Sequence, residues 1–152
     1  MMKDPELPLH GHCRCGATRI RITRPPLLTA ACHCTGCQRM SASAYSLSVA
    51  VPAEGFAVLE GHPVLGGAGH DMHHFCPSCL SWMFTRPPGL DWFVNVRPTM
   101  FTGIDWFAPF VDTFTREALP WVQPVAPHSF AGLPAMEEYG QLIRDYASAV
   151  GR

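Results

Sequence analysis

Apolar and polar residues alternate with period two along several short stretches of the chain, the mark of half-buried strands. Residues 17–23 read Ala-Thr-Arg-Ile-Arg-Ile-Thr, and Pro25-Pro26 ends the run. Residues 27–32 form a second apolar run. Residues 45–51 alternate again, with Ser46 and Ser48 facing away from the apolar side chains. Residues 56–59, 72–75, 81–85 and 92–96 add aromatic or β-branched segments bounded by Gly and Pro. Short strands at this spacing predict a mainly β sandwich or barrel. Near the C-terminus the period changes. Met136, Tyr139, Ile143, Tyr146 and Val150 recur at steps of three or four after Pro134, which predicts a helix packed on the sheet. Glu137 and Glu138 suit its positive end, and Arg144 lies further along.

Length and composition narrow the class. A chain of 152 residues is one domain's worth, expected over residues 9–152, with residues 1–8 as a flexible N-terminal arm. Hydrophobic residues make up 47%, enough for a core, while charged ones make up 15%, against roughly 25% in an ordinary domain. With 13 glycines and 15 prolines, turns prevail over long helices. No apolar run approaches the ~18 residues of a membrane span, and the first residues lack the apolar stretch of a secretory signal. The expected compartment is therefore the cytoplasm, where clustered thiols hold metal more often than they form disulfides. A net charge of −1 without a basic stretch argues against nucleic acid as a partner.

Seven cysteines are the chemistry to explain. They stand as Cys13-Arg14-Cys15, as Cys32-His33-Cys34-Thr35-Gly36-Cys37 and as Cys76-Pro77-Ser78-Cys79. Residues two apart in extended chain project to one side, so each C-x-C can aim both sulfurs at one point; a C-x-x-C knuckle does the same. Zinc takes four tetrahedral ligands and favours thiolates. Seven divides as a closed set of four and an open set of three, the first structural and the second catalytic. Spacing alone leaves open which C-x-C joins Cys76 and Cys79. Cys13 and Cys15 are favoured, because Cys32, Cys34 and Cys37 suffice as a local group. A redox role for Cys34 and Cys37 would need a βαβ setting that the strand pattern does not offer. His33 should face away from its two cysteine neighbours. His10, His12, His62, His70, His73, His74 and His128 read as ordinary surface or core residues, and Trp82, Trp92, Trp106 and Trp121 as core fillers, one of which could line a pocket.

These residues resemble the glutathione-dependent formaldehyde-activating enzyme family. The likeness is carried by Gly11-His12-Cys13-Arg14-Cys15-Gly16, by Cys32 to Cys37 followed by Gln38-Arg39, by Phe75-Cys76-Pro77-Ser78-Cys79, and by Leu119-Pro120-Trp121-Val122. It implies an Mss4-like zinc fold with two zinc ions per chain. Cys13, Cys15, Cys76 and Cys79 would hold the structural ion, and Cys32, Cys34 and Cys37 the catalytic one. The implied activity is that of a carbon–sulfur lyase that joins glutathione to formaldehyde as S-(hydroxymethyl)glutathione. Glutathione carries two carboxylates, so Arg39, Arg14 and Arg97 are the candidate substrate-binding residues. Two positions depart from the family pattern. Leu80 stands where the second knuckle normally ends in glycine, and Asp112 aligns where the family often has histidine. Either a leucine there is held in the left-handed conformation at a cost of about 1–2 kcal/mol, or the turn differs. The competing reading is a non-catalytic zinc-binding module for a protein partner, and the low charge leaves room for an apolar interface or a homodimer. An open three-cysteine group has little use in such a module, which favours the enzyme.

Overall fold

The computed structural model describes residues 2–66 and 72–152; His70 falls outside them. Among the described residues the chain forms eleven strands and two α-helices. The strands are β1 (Leu9–His12), β2 (Arg19–Ile22), β3 (Leu28–Cys32), β4 (Ser46–Pro52), β5 (Phe56–Glu60), β6 (Val64–Gly66), β7 (His73–Phe75), β8 (Trp82–Thr85), β9 (Phe93–Val96), β10 (Val111–Thr113) and β11 (His128–Ser129). The helices are α1 (Thr35–Ser41) and α2 (Tyr139–Ala149). A small sheet runs β1-β2-β5, and a large one runs β11-β10-β3-β4-β9-β8-β7-β6. Pairing is antiparallel except at β10, which runs parallel to both β3 and β11. The fold is mainly β with a C-terminal helix, as the periodicity predicts.

The alternation in β4 explains how the large sheet buries two faces. Val49 and Val51 point between the sheets, where they meet Val94, Val96, Met83 and Phe84 of the large sheet and Ile20, Ile22 and Phe56 of the small one. Fully burying a side chain of this kind contributes about 1.5–3 kcal/mol. The opposite face carries Leu28, over which Phe110, Val111 and the helix residues Leu142 and Tyr146 close a second cluster. Tyr146 meets Phe110 edge to face, with ring centroids 5.5 Å apart. At the bridge between Gly11 and Phe101 the backbones approach closely: a Cβ on Gly11 would lie 2.7 Å from the Met100 carbonyl oxygen.

Three expectations need adjustment. The C-terminal helix begins with a 3-10 turn at Met136–Glu138 and docks through Leu142 and Tyr146, leaving Met136 exposed. Trp106 is buried in the core, whereas Trp92 and Trp121 stand 54% and 74% exposed. Residues 2–8, expected as a flexible arm, carry contacts to the body. Lys3 pairs with Asp105 at 2.8 Å, Asp4 pairs with Arg152 at 2.7 Å, Pro5 is buried and Leu7 packs on the inter-sheet core. No helix among the described residues is long and apolar enough to cross a membrane.

The docking face of α2 can be checked by substitution. Leu142→Ala should cost about 2–5 kcal/mol in urea unfolding, whereas Met136→Ala should stay within about 0.5 kcal/mol. Equal losses would mean that Met136 packs on the core along with Tyr139, Tyr146 and Val150 of the same periodic face.

Candidate metal centres

Two tight turns and a strand end gather the first group. Cys13 follows β1 directly, and Cys15 sits in the turn that leads to β2; Cys76 and Cys79 lie between β7 and β8. Each knuckle closes with a backbone hydrogen bond, Gly16 N–H to the Cys13 carbonyl at 3.0 Å and Leu80 N–H to the Cys76 carbonyl at 2.9 Å. Each ends in a left-handed residue, Gly16 at φ 79° and Leu80 at φ 59°. Leucine thus takes the conformation that glycine adopts freely.

The sulfurs of Cys13, Cys15, Cys76 and Cys79 all lie within 4.8 Å of one another. Cys15 is 3.6 Å from Cys13 and 3.8 Å from Cys76, sulfur to sulfur. A tetrahedral ion at ~2.3 Å from each sulfur would separate neighbouring sulfurs by ~3.8 Å, so these residues fit a thiolate-bound metal. Surrounding donors already face them. The Thr18 amide donates to the Cys13 sulfur at 3.3 Å. Ser81 Oγ accepts from the Arg14 amide at 3.1 Å, which leaves its hydroxyl to donate to Cys79 at 3.2 Å and link the two knuckles. That hydroxyl, against the pull of burial, brings Cys79 down to about 5. The Cys79 amide, followed by the Thr18 side chain, lowers Cys76. Cys15 goes the other way, to about 11. The Ala17 amide lowers it, but the Cys13 sulfur, desolvation and the sulfurs of Cys79 and Cys76 outweigh that pull.

The second group is built at the N-terminus of α1. Cys32 ends β3, Cys34 caps the helix by accepting the Cys37 amide at 3.3 Å, and Cys37 lies in the first turn. Their three sulfurs also lie within 4.8 Å of one another, and among the described residues no His, Asp or Glu completes the set. A hydrogen bond from the Cys37 thiol brings Cys32 down to about 5, although burial opposes it; Thr113 contributes as well. The same contact raises Cys37, while desolvation raises Cys34. One thiolate forms readily and its neighbours then resist. A divalent cation relieves that conflict.

His33 faces the other way, as the alternation requires. It is buried, and its Nε2–H donates to Asp112 at 2.7 Å; Asp112 also accepts the Ala126 amide at 2.8 Å. Asp112 opposes Ala31 in the parallel β3–β10 pairing, a partner no local pattern announces. On this face lies a cavity of about 880 Å³, walled by Leu47, Phe107, Trp121 and Val125 beside His33 and Asp112. None of the three sulfurs lines it, and neither does any Lys or Arg.

The candidate arginines separate. Arg14 is exposed beside the four-cysteine group, where its amide contacts Ser81. Arg39 is exposed in the last turn of α1. Arg97 is buried: Nη1 donates to the Leu47 carbonyl and Nη2 to Thr85 Oγ1, both at 2.9 Å, and its Cζ lies 3.8 Å from the centre of the Trp82 ring.

Fold and cysteine geometry together define a mainly β domain equipped to bind metal through thiolates. The family model described as "Glutathione-dependent formaldehyde-activating enzyme" matches residues 8–117. The chain belongs to that family. Its fold is similar to that of a crystal structure of a Rhodobacter sphaeroides protein, a structural-genomics target, at 20% identity and a TM-score of 0.53. That likeness covers 63% of this chain and 90% of the other, and at this identity it concerns the fold alone. No curated protein matches the chain.

Two substitutions test the four-cysteine group. Cys76→Ser should lose bound metal and melt well below the parent, since metal binding there is part of the folding free energy; an unchanged melting temperature refutes that role. Leu80→Gly should stabilise the metal-loaded protein by about 0.5–1 kcal/mol. Relief of the left-handed strain outweighs the greater unfolded-state freedom of glycine, and a 70% exposed leucine forfeits little burial.

Proposed function

We propose that the chain is a zinc-dependent carbon–sulfur lyase that forms or cleaves a thiol–aldehyde adduct, with glutathione and formaldehyde as the leading substrates. Membership of the family supports the general activity. The observation that carries the finer reading is the three-sulfur group with no fourth protein ligand among the described residues. A closed four-sulfur group holds a fold together; an open one leaves a position for a substrate.

Zinc at that position would lower the pKa of a substrate thiol and hold it as thiolate near neutral pH. In the forward reaction the thiolate sulfur attacks the aldehyde carbon. The S–C bond forms, the carbonyl π pair moves to oxygen, and the proton released by the thiol ends on that oxygen as hydroxyl. The reverse reaction breaks the same bond. Cys32, Cys34 and Cys37 are the residues assigned to the open site. The Thr113 and Ser46 side chains act to lower the pKa of Cys32 and Cys37 respectively. Arg39, exposed on α1, is the residue assigned to a substrate carboxylate. Arg14, beside the other group, is given no such role, and Arg97 is too enclosed for one. Cys13, Cys15, Cys76 and Cys79 are assigned the structural ion, giving two zinc ions per chain.

Exchange spectroscopy by NMR on mixed glutathione and formaldehyde tests the activity. The parent protein should accelerate adduct exchange, and Cys34→Ser, still folded, should not. A parent that leaves the exchange rate at its uncatalysed value overturns the lyase and favours a binding module.

A further inference from the structure

Arg97 is a buried cation without a carboxylate. It is 9% exposed, and no Asp or Glu among the described residues makes an ion pair with it. Its contacts are neutral: the Leu47 carbonyl, the Thr85 hydroxyl and the face of Trp82. Its Nε is buried with no hydrogen-bond partner. Thr85 Oγ1 accepts from Arg97 and also shares a hydrogen bond with His73 Nδ1 at 3.0 Å; the His73 ring stands edge-on to Trp82. The guanidinium is thus clamped in place while its charge stays unanswered, a costly arrangement unless another charge lies near.

Register shows where that charge is. Cys32 opposes Ser46 across β3 and β4, and Val49 opposes Val96 across β4 and β9. Arg97 is the next residue after Val96. Alternate residues of a strand share a face, so Cys32, Ser46, Ser48 and Arg97 project to one side of the sheet. β4 stands between β3 and β9, so Cys32 is two strand spacings, roughly 9–10 Å, from β9, and the Arg97 side chain spans the first of them to reach the Leu47 carbonyl of β4. Burial draws the guanidinium down to about 10, and charge on Cys37 and Cys32 works against that pull.

We propose that Arg97 is the fixed counter-charge of the three-cysteine group, a positioning residue that holds its thiolates together and so retains a thiophilic divalent ion there. The inference rests on the reading of that group as a metal site. Three thiolates around a divalent ion leave one net negative charge, which Arg97 neutralises. The four-cysteine group relies instead on the Thr18 amide and the Ser81 hydroxyl.

The test is cadmium loading of the full chain, followed by cadmium-113 NMR and chelator competition. The parent should give two resonances, one for a four-sulfur and one for a three-sulfur site. Arg97→Gln should weaken the three-sulfur site by about tenfold or more and leave the other at parental affinity. Arg97→Lys, which keeps the charge but not the planar fork, should retain most of the binding. Parental affinity at both sites in Arg97→Gln would overturn the proposal. So would equal loss at both sites, which marks a scaffold role, or an Arg97→Lys variant as weak as Arg97→Gln, which marks shape over charge. A single resonance in the unsubstituted protein would refute the metal-site reading and this inference with it, an outcome visible before any substitution is made.

Discussion

Seven thiols confined to two small volumes cannot all ionise without help. Each thiolate raises the cost of the next, as the opposed shifts of Cys32 and Cys37 make plain. The remainder of the structure is arranged around this constraint. Donors meet the sulfurs from the protein side, the Thr18 amide at Cys13 and the Ser81 hydroxyl at Cys79 in one group and the Cys37 amide at Cys34 in the other. A divalent ion between the sulfurs would supply the greater part of the missing positive charge. Strands and turns bring the cysteines of each group together from their separate positions in the chain.

The two groups occupy mechanically different places. The four-cysteine group joins the small sheet to the large one, since Cys13 and Cys15 lie between β1 and β2 while Cys76 and Cys79 lie between β7 and β8. Contacts that join segments far apart in sequence constrain the fold most, so a metal there acts as a staple. The three-cysteine group is local to the end of β3 and the start of α1. Loss of an ion from it would remove no link between sheets. That difference in place, more than ligand count alone, separates a site that holds the fold from one free to exchange ligands.

Much of this was legible in the sequence because its signals were short-range. Period-two alternation marked β2 and β4, an apolar run marked β3, aromatic or β-branched segments between Gly and Pro marked β5 and β7 to β9, and cysteine spacing marked the groups. The missed elements are β1, β6, β10, β11 and α1. Strands of two to four residues are too short for a period to emerge. Helix α1 hides behind a cysteine cap and a glycine at its second position. The parallel β3–β10 pairing that joins His33 to Asp112 links residues 79 apart in sequence, and no local rule reports it. Leu80 is the opposite case: the departure from glycine called for either a strained residue or a different turn, and its φ of 59° selects the first.

Arg97 shows why residue type alone misleads. Read in isolation it is a cation suited to a substrate carboxylate, as Arg39 and Arg14 are. The β9 register turns it instead onto the same face of the sheet as Cys32 and Ser46, and Trp82 and Thr85 fix it there. A chain with few charges has buried one of them where thiols are crowded. A buried cation of this kind is tolerable only beside negative charge, and thiolates are easier to keep ionised beside a cation. Each therefore lowers the cost of the other. The low charge content, which by itself pointed to no function, becomes informative through the position of this single residue.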